Sequence, residues 1–397
     1  MLPLVLSLAL TAPAAPPAFL AAGTGDDAPA GVLTRLSLAD GATLDTPDGA
    51  KGVKELVSLR RVEGGVPALP VGPQLVTASG DRIPGTLKGG DAKTLQFAPE
   101  WSAAPLSIGL VPQVAAVWLT APPADTPTDP AKYGWLEGTP PRDVLLYRNG
   151  DTVPDGGTPR EVPLEKLAAV GFNPRFARLR KPKGPYAHLV LADGTRLDAS
   201  ELALTDDTLV ATAVCGPEVK IPLTQLVSLD VLQGPAVYLS DLKPRKAETS
   251  GFLGDGWAWA ADRTVRGQPL RLFAKVAAER DGDGPTGPVQ KTELTADKGL
   301  GTHPKTVLVY DLAGKYSRFE SLVGLDAATG KRGRATVSVL RDGTAADLPA
   351  LKTLAAGAAT PVRLDVRGVK ELTLVVDFGP TGDVQADVNW ADARLIP

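Results

Sequence analysis

Between residues 32 and 232 one short pattern of apolar and polar positions occurs four times. It reads Leu-x-x-x-(Ser/Asp/Asn)-Gly-x-x-apolar. The copies run from Leu36 to Leu44 around Asp40-Gly41, from Leu75 to Ile83 around Ser79-Gly80, from Leu145 to Val153 around Asn149-Gly150, and from Leu189 to Leu197 around Asp193-Gly194. Asn-Gly and Asp-Gly supply the positive φ angles of a two-residue hairpin turn, so each copy predicts a β-hairpin. A second apolar signal follows each one, at Val53–Leu59, Ile108–Val117, Val162–Val170 and Ile221–Leu229. The interval from hairpin to closing signal is short, long, short, long. Corresponding starts lie 109 residues apart (36 to 145) and 114 apart (75 to 189). The spacing predicts one unit of roughly 90 residues, present twice, over 32–119 and 143–232. Each copy is expected to be a small, strongly bent SH3-like or Sm-like β unit. The Pro-rich stretch 120–142 is the expected linker between them.

From Tyr238 onward the texture changes. Apolar and polar residues alternate over Thr336–Val339 and Leu372–Val376, with turn signals at Asp311–Gly314, Asp342-Gly343, Arg367-Gly368 and Gly379–Gly382. That rhythm predicts a β-sandwich of about eight strands over 236–397. Composition points the same way. Gly 42 and Pro 37 make up about a fifth of 397 residues, a load of breakers that disfavours long helices. The expected fold class is all-β.

Charge and side-chain inventory narrow the chemistry. Lys+Arg 42 against Asp+Glu 45 leaves a net charge of −3, which excludes a broad basic surface and with it a phosphate-dominated nucleic-acid partner. The one basic run, Arg178–Lys183, reads as a solvated loop. The single cysteine, Cys215, allows no internal disulfide and no thiolate metal cluster; between Val214 and Gly216 it reads as a buried strand thiol. Only His188 and His303 offer an imidazole, and His188 reads as an ordinary surface residue. No G-x-S-x-G or H-E-x-x-H motif occurs. Gly282–Gly287 matches G-x-G-x-x-G but lacks a preceding buried strand, and Pro285 blocks a following helix. The apolar run Leu2–Leu10, followed by an Ala/Pro-rich stretch to Ala30, is long enough for a signal-peptide core and too short to span a bilayer. Residues 1–30 are therefore expected to be a signal peptide or an irregular tail, and the protein to be secreted, periplasmic or at the cell surface. No later segment reaches 18 apolar residues, so no transmembrane segment is expected.

Six ordered blocks in the C-terminal part carry a resemblance. They are Tyr238–Leu242 with Gly256-Trp257, Lys298–His303 (KGLGTH), Tyr310–Tyr316 (YDLAGKY), Val323–Asp326, Val369–Leu374 and Trp390–Leu395 (WADARL). Over residues 238–397 the chain resembles the NPCBM family, a carbohydrate-binding module found beside family 98 glycoside hydrolases. The resemblance implies a galactose-binding-like β-sandwich related to the family 51 modules, non-catalytic sugar binding, and often a structural calcium ion. Two departures bear on specificity: a long insert at 274–297, and Ala386-Asp387 ahead of the last Trp block. Residues 32–232 also resemble, more loosely, the N-terminal regions of large exported proteins from planctomycete-type bacteria.

Within the resemblance, Trp257, Tyr310 and Trp390 are candidates to stack on a pyranose ring; their competing role is to fill the sandwich core. His303 is the candidate to meet a sugar hydroxyl, or else to stabilise its own loop. Asp262 and Asp392 are the candidate calcium ligands, or else turn carboxylates. The expected protein is an exported, non-catalytic binder of a glycan or polysaccharide. The alternative is a cell-surface scaffold whose N-terminal β units hold protein partners. A hydrolase would need two carboxylates on a rigid cleft.

Overall fold

A computed structural model of the chain describes residues 16–25, 27–91, 93–110, 112–120, 144–148, 167–172, 182–251, 256–276, 280–281, 284–285, 290–329 and 332–397. The described secondary structure is β apart from short 3-10 turns. The expected signal segment Leu2–Leu10, residues 121–142 of the linker, the Arg178–Lys181 part of the basic run and the third copy's Asn149-Gly150 turn lie outside the described residues.

The N-terminal body repeats one strand order. β1 (Ala18–Gly23), β2 (Ala28–Ser37), β3 (Gly41–Thr46), β4 (Gly49–Val53) and β5 (Leu56–Arg61) lie in the order β5-β1-β2-β3-β4. In the next unit the strands are β6 (Gln74–Thr77), β7 (Arg82–Pro84), β8 (Thr86–Gly90), β9 (Thr94–Ala98), β10 (Leu106–Gly109) and β11 (Val114–Trp118). They follow the same order, except that the second strand is split between β7 and β8. The split falls at Gly85, where a Cβ would come within 2.4 Å of the Ala98 carbonyl oxygen. β12 (Val144–Arg148) pairs with β13 (Leu167–Phe172), as first and last strands do elsewhere. The last unit, β14 (Tyr186–Leu191), β15 (Arg196–Thr205), β16 (Thr208–Ala213), β17 (Glu218–Pro222) and β18 (Leu226–Leu232), has the order β18-β14-β15-β16-β17.

These strands correct the expected boundaries. The repeat is a smaller unit, complete at 18–61, 74–118 and 186–232, with the outer strands of a further one at 144–172. Leu75 faces Ile83 and Leu189 faces Leu197 across first hairpins, so the 114-residue offset joins equivalent positions. Leu36 faces Ala42 across the turn between second and third strands, so the first copy of the motif marks a different hairpin. The expected tail 1–30 also ends too late: β1 lies between β2 and β5, and Phe19 is fully buried.

Closing strands join the units. β5 pairs with β18 through Leu59 and Leu229, and β11 pairs with β13 through Val117 and Val170. One apolar cluster runs across the units and includes Phe19, Leu59, Ile83, Phe97 and Leu229. Cys215 belongs to it, and burial pushes its thiol up to about 12, far from thiolate reactivity.

The C-terminal body is a sandwich of two antiparallel sheets. Its strands are β19 (Val237–Tyr238), β20 (Lys246–Thr249), β21 (Ala260–Ala261), β22 (Leu270–Val276), β23 (Arg280–Asp281), β24 (Gly284–Pro285), β25 (Gln290–Ala296), β26 (Gly299–Thr302), β27 (Thr306–Asp311), β28 (Arg318–Leu325), β29 (Arg334–Arg341), β30 (Thr344–Ala345), β31 (Leu354–Ala355), β32 (Thr360–Asp365), β33 (Glu371–Phe378) and β34 (Val388–Ile396). One sheet runs β21-β26-β34-β28-β32 and the other β20-β27-β33-β29-β30. Inward-facing residues of both sheets, among them Leu308, Phe319, Val337, Leu374 and Trp390, form its core. The long insert is based on a hairpin of β22 with β25, seated by Leu270, Leu272 and Ala296 against Ala391.

Part-buried charge fastens the two bodies together. Arg60 of β5 donates through Nη2 to both Asp230 oxygens of β18 at 2.6 and 2.8 Å, and to Asp392 Oδ2 of the sandwich at 3.3 Å. Tyr238 OH donates to Asp230 at 3.2 Å. Arg318 donates to the carbonyls of Gly23 and Gly25 at 3.0 and 3.1 Å. Val57, Ala236 and Ile396 form an apolar contact between the bodies.

Candidate functional site

The sandwich separates the four residues expected to meet sugar. Trp390 is fully buried on β34, its Nε1 donating to Thr302 Oγ1 at 3.2 Å. Tyr310 is buried on β27, where loss of solvent raises its hydroxyl pKa. A ring without an exposed face cannot stack on a pyranose, so both are core residues. Trp257 is different: it is 48 % exposed. His303 packs beside it at 6.3 Å between ring centroids and 41° between planes.

Two further residues complete this corner. The Arg266 guanidinium stands 5.0 Å over the centroid of Trp257, a cation–π contact, and its Nε donates to Asp387 Oδ2 at 2.7 Å. A turn holds Arg266 in place: Thr264 Oγ1 accepts the backbone N–H groups of Arg266 at 3.3 Å and Gln268 at 3.2 Å. Asp387 is buried, and its Oδ1 lies 3.6 Å from His303 Nε2. Among the described residues neither that Oδ1 nor His303 Nδ1 has a hydrogen-bond partner. Behind them, the Asp387 backbone carbonyl accepts the Asp326 N–H at 2.9 Å, and Asn389 Nδ2 donates to Asp326 Oδ2 at 2.7 Å. Burial raises the Asp326 pKa, with the Asn389 hydrogen bond opposing it. Unpartnered buried polar atoms beside an exposed indole are suited to a polyhydroxylated ring, which offers both C–H faces and hydroxyl groups. Asp387 was visible in the sequence as the residue ahead of the last Trp block. Arg266 carried no signal, because the turn that aims it forms only in the fold.

The calcium candidates do not fit a calcium site. Asp262, at φ 56°, accepts the Gly299 N–H at 3.0 Å and pairs with Lys298 Nζ at 2.8 Å. Asp392, at φ 50°, pairs with Arg60. Burial raises the Asp392 pKa, with Arg60 pulling the other way. A cation already stands where each carboxylate would need the metal, and calcium takes 6–8 oxygen ligands. Among the described residues no group of three or more His, Cys, Asp and Glu could hold a metal ion.

A second polar cluster went unrecognised in the sequence. His188 lies between the bodies rather than on open surface. Its Nδ1 meets Asp198 Oδ1 at 2.7 Å, and its Nε2 meets Asp297 Oδ2 of the sandwich at 3.3 Å. Burial alone would lower the His188 pKa; the two carboxylate hydrogen bonds outweigh it and hold the pKa well above the usual value. Burial would raise Asp297, but His188 and Arg196 hold it at about 2. Asp81, beneath Asp198, is pushed up to about 6 by burial and then by the Asp198 charge. His188 and Asp198 are direct partners across the Asp193-Gly194 hairpin, so that half was legible from the turn. Asp297 comes from the other body and was not. The cluster lines a cleft with two lobes of about 550 and 500 Å³.

Residues 235–396 match the family described as the NPCBM/NEW2 domain. A Renibacterium salmoninarum protein, provisionally named an endo-alpha-N-acetylgalactosaminidase, is 29 % identical over 145 residues, which are 35 % of this chain and 9 % of that protein. The chain therefore spans less than a tenth of that relative. Among solved structures, the CBM51 module of a Clostridium perfringens GH95 protein, in complex with methyl-galactose, is 25 % identical over 40 % of this chain and 99 % of its own, with a TM-score of 0.33. The tandem CBM51 modules of a Streptococcus pneumoniae family 98 glycoside hydrolase are 15 % identical over 53 % of this chain and 70 % of theirs, with a TM-score of 0.33.

Proposed function

We propose that the NPCBM-like sandwich binds a glycan at the Trp257 corner, and that the chain as a whole is an exported, non-catalytic recognition protein. The carrying observation is the exposed indole beside two buried polar atoms that have no hydrogen-bond partner among the described residues, Asp387 Oδ1 and His303 Nδ1. Stacking is worth about 0.5–1.5 kcal/mol beyond area burial, judged by aromatic pairs. Each good hydrogen bond adds about 1 kcal/mol net. After the cost of association these contributions support dissociation constants on the order of micromolar to millimolar. The apolar Leu2–Leu10 run supports export.

Non-catalysis rests on the state of the carboxylates. In the cleft Asp198 and Asp297 hold His188, while Asp241 and Asp262 hold Lys298. Asp81, with its raised pKa, is only 2 % exposed and does not line the cleft, so it has no route to a glycosidic oxygen. The test is a glycan array probed with the full chain and with Trp257→Ala. Binding by the wild type and its loss in a folded Trp257→Ala protein is expected. Normal binding by that variant would remove the corner from the site. Silence of the wild type across the array would favour the scaffold reading, which the interlocked N-terminal strands support.

A further inference from the structure

One wall of the cleft between the bodies carries charge that the described residues do not balance. β7 and β15 meet at a single register pair, Arg82 opposite Arg196. Like charges directly opposite on an antiparallel ladder repel. Arg196 is compensated: it is buried, its Nε donates to Asp297 Oδ2 at 2.7 Å, and its Nη1 and Nη2 donate to the carbonyls of Gly194 and Pro67 at 3.0 and 2.8 Å. Among the described residues Arg82 donates only to Gln74 Oε1, at 3.3 Å, and makes no ion pair. Across the cleft, Arg263 lines the same space and also makes no ion pair among the described residues. The carboxylates that share this lobe are already engaged, Asp297 by Arg196 and His188, and Asp262 by Lys298. Its volume of about 550 Å³ lies within the range of small-molecule sites.

The lobe adjoins the Trp257 corner. The turn Thr264–Gln268 divides them: Arg266 stands over Trp257, while Gly267 and Gln268 line the cleft. We propose that this lobe is a second saccharide subsite, which takes the carboxylate or sulfate group of an acidic sugar on the guanidinium groups of Arg82 and Arg263. The proposal rests on the reading of the chain as a glycan binder. A guanidinium offers paired N–H donors that match the oxygens of a carboxylate or sulfate, and its charge persists at any physiological pH. A glycan seated on Trp257 would cross one turn to reach these groups.

Calorimetric titration of the full chain tests it, with three probes: a galacturonate tetramer, its methyl ester, and a sulfated galactose oligomer. An acidic probe should bind wild type about tenfold more tightly than the ester, equivalent to about 1.4 kcal/mol. That advantage should fade as salt is added. A gain for the galacturonate alone identifies a carboxylate site, and a gain for the sulfated oligomer alone a sulfate site. The double variant Arg82→Gln/Arg263→Gln should bind the acid and ester forms equally, with the ester affinity unchanged. Equal binding of all three probes by wild type, or a preference for the acidic probe that survives in the double variant, overturns the proposal. Trp257→Ala separates the two readings. Acid binding that persists in this variant and still depends on the arginines keeps the cleft and removes the corner. Ester binding that needs Trp257 and shows no acid preference keeps the corner and removes the cleft. If no probe binds, both readings fall.

Discussion

Arg60→Ala is the sharpest test of how the two bodies are held together. The substitution removes a guanidinium that contacts Asp230 at 2.6 and 2.8 Å, Asp392 at 3.3 Å and the Leu229 carbonyl at 3.1 Å. Two carboxylates are left facing each other. Asp230 keeps the Tyr238 hydroxyl at 3.2 Å and Arg394 at 3.7 Å. Breaking a fully buried pair costs about 3–5 kcal/mol, and an exposed pair is worth about 0.2–1 kcal/mol. The Asp230 side chain is 10 % exposed and that of Arg60 28 %, which places the pair nearer the buried limit. The expected loss is about 2–3 kcal/mol at neutral pH. Acid should shrink it. The Asp392 pKa is already raised in the wild type and should rise further without Arg60, so protonation relieves the repulsion as pH falls. Urea denaturation of the full chain at about pH 7 and about pH 4.5 reads both quantities. Arg367→Ala, which breaks an exposed pair with Asp365, is the control and should leave the midpoint unmoved. A loss below about 0.5 kcal/mol for Arg60→Ala, or an equal loss at both pH values, would refute the argument.

Further expectations follow from the same geometry. Trp390→Ala empties the sandwich core and should cost about 3–5 kcal/mol, seen as a lowered denaturation midpoint, whereas Trp257→Ala should leave that midpoint nearly unchanged. Calcium should not shift the melting temperature of chelator-treated protein, because Lys298 and Arg60 occupy the candidate carboxylates; a rise of several degrees would restore the ion. The His188 pKa is raised in the folded state, so its contribution is complete below about pH 6.5 and is lost as pH rises through the folded value. His188→Gln should therefore flatten the fall in melting temperature on the alkaline side; an unchanged profile would show that the imidazole is not a proton-linked contact. If the chain is exported by signal cleavage, N-terminal sequencing should find the mature end before Ala18, since a later cut removes β1.

The turn chemistry was the most legible part of the fold. Gly80 at φ 102° and Gly194 at φ 89° do what the motif predicts, and Leu75 and Leu189 sit in equivalent first strands. What the motif could not say is which hairpin of a unit it marks. Leu36 carries the same motif one strand on, because any tight antiparallel turn selects a glycine. The roles of the aromatics were less legible. Trp257 precedes β21 and Trp390 lies on β34, yet one is exposed and the other sealed. The difference lies in the opposing sheet, which covers β34 and leaves the segment before β21 open. The cleft was hidden for a related reason: His188, Arg82 and Asp297 lie on segments far apart in sequence, and only docking of the bodies brings them together.

The pairing of β5 with β18 also dictates when the first unit can be finished. Residues 58–60 find their ladder partners at 228–230, so about 170 residues must be made in between. At roughly 5–20 residues per second, synthesis leaves the apolar edge Leu56–Leu59 without its neighbour for about 10–30 s. An unpaired apolar edge is a template for wrong pairing, and here three other units of like design pass within reach during that interval. A factor that shields β5, or a route that keeps the chain unfolded until Leu232 is made, would remove that hazard.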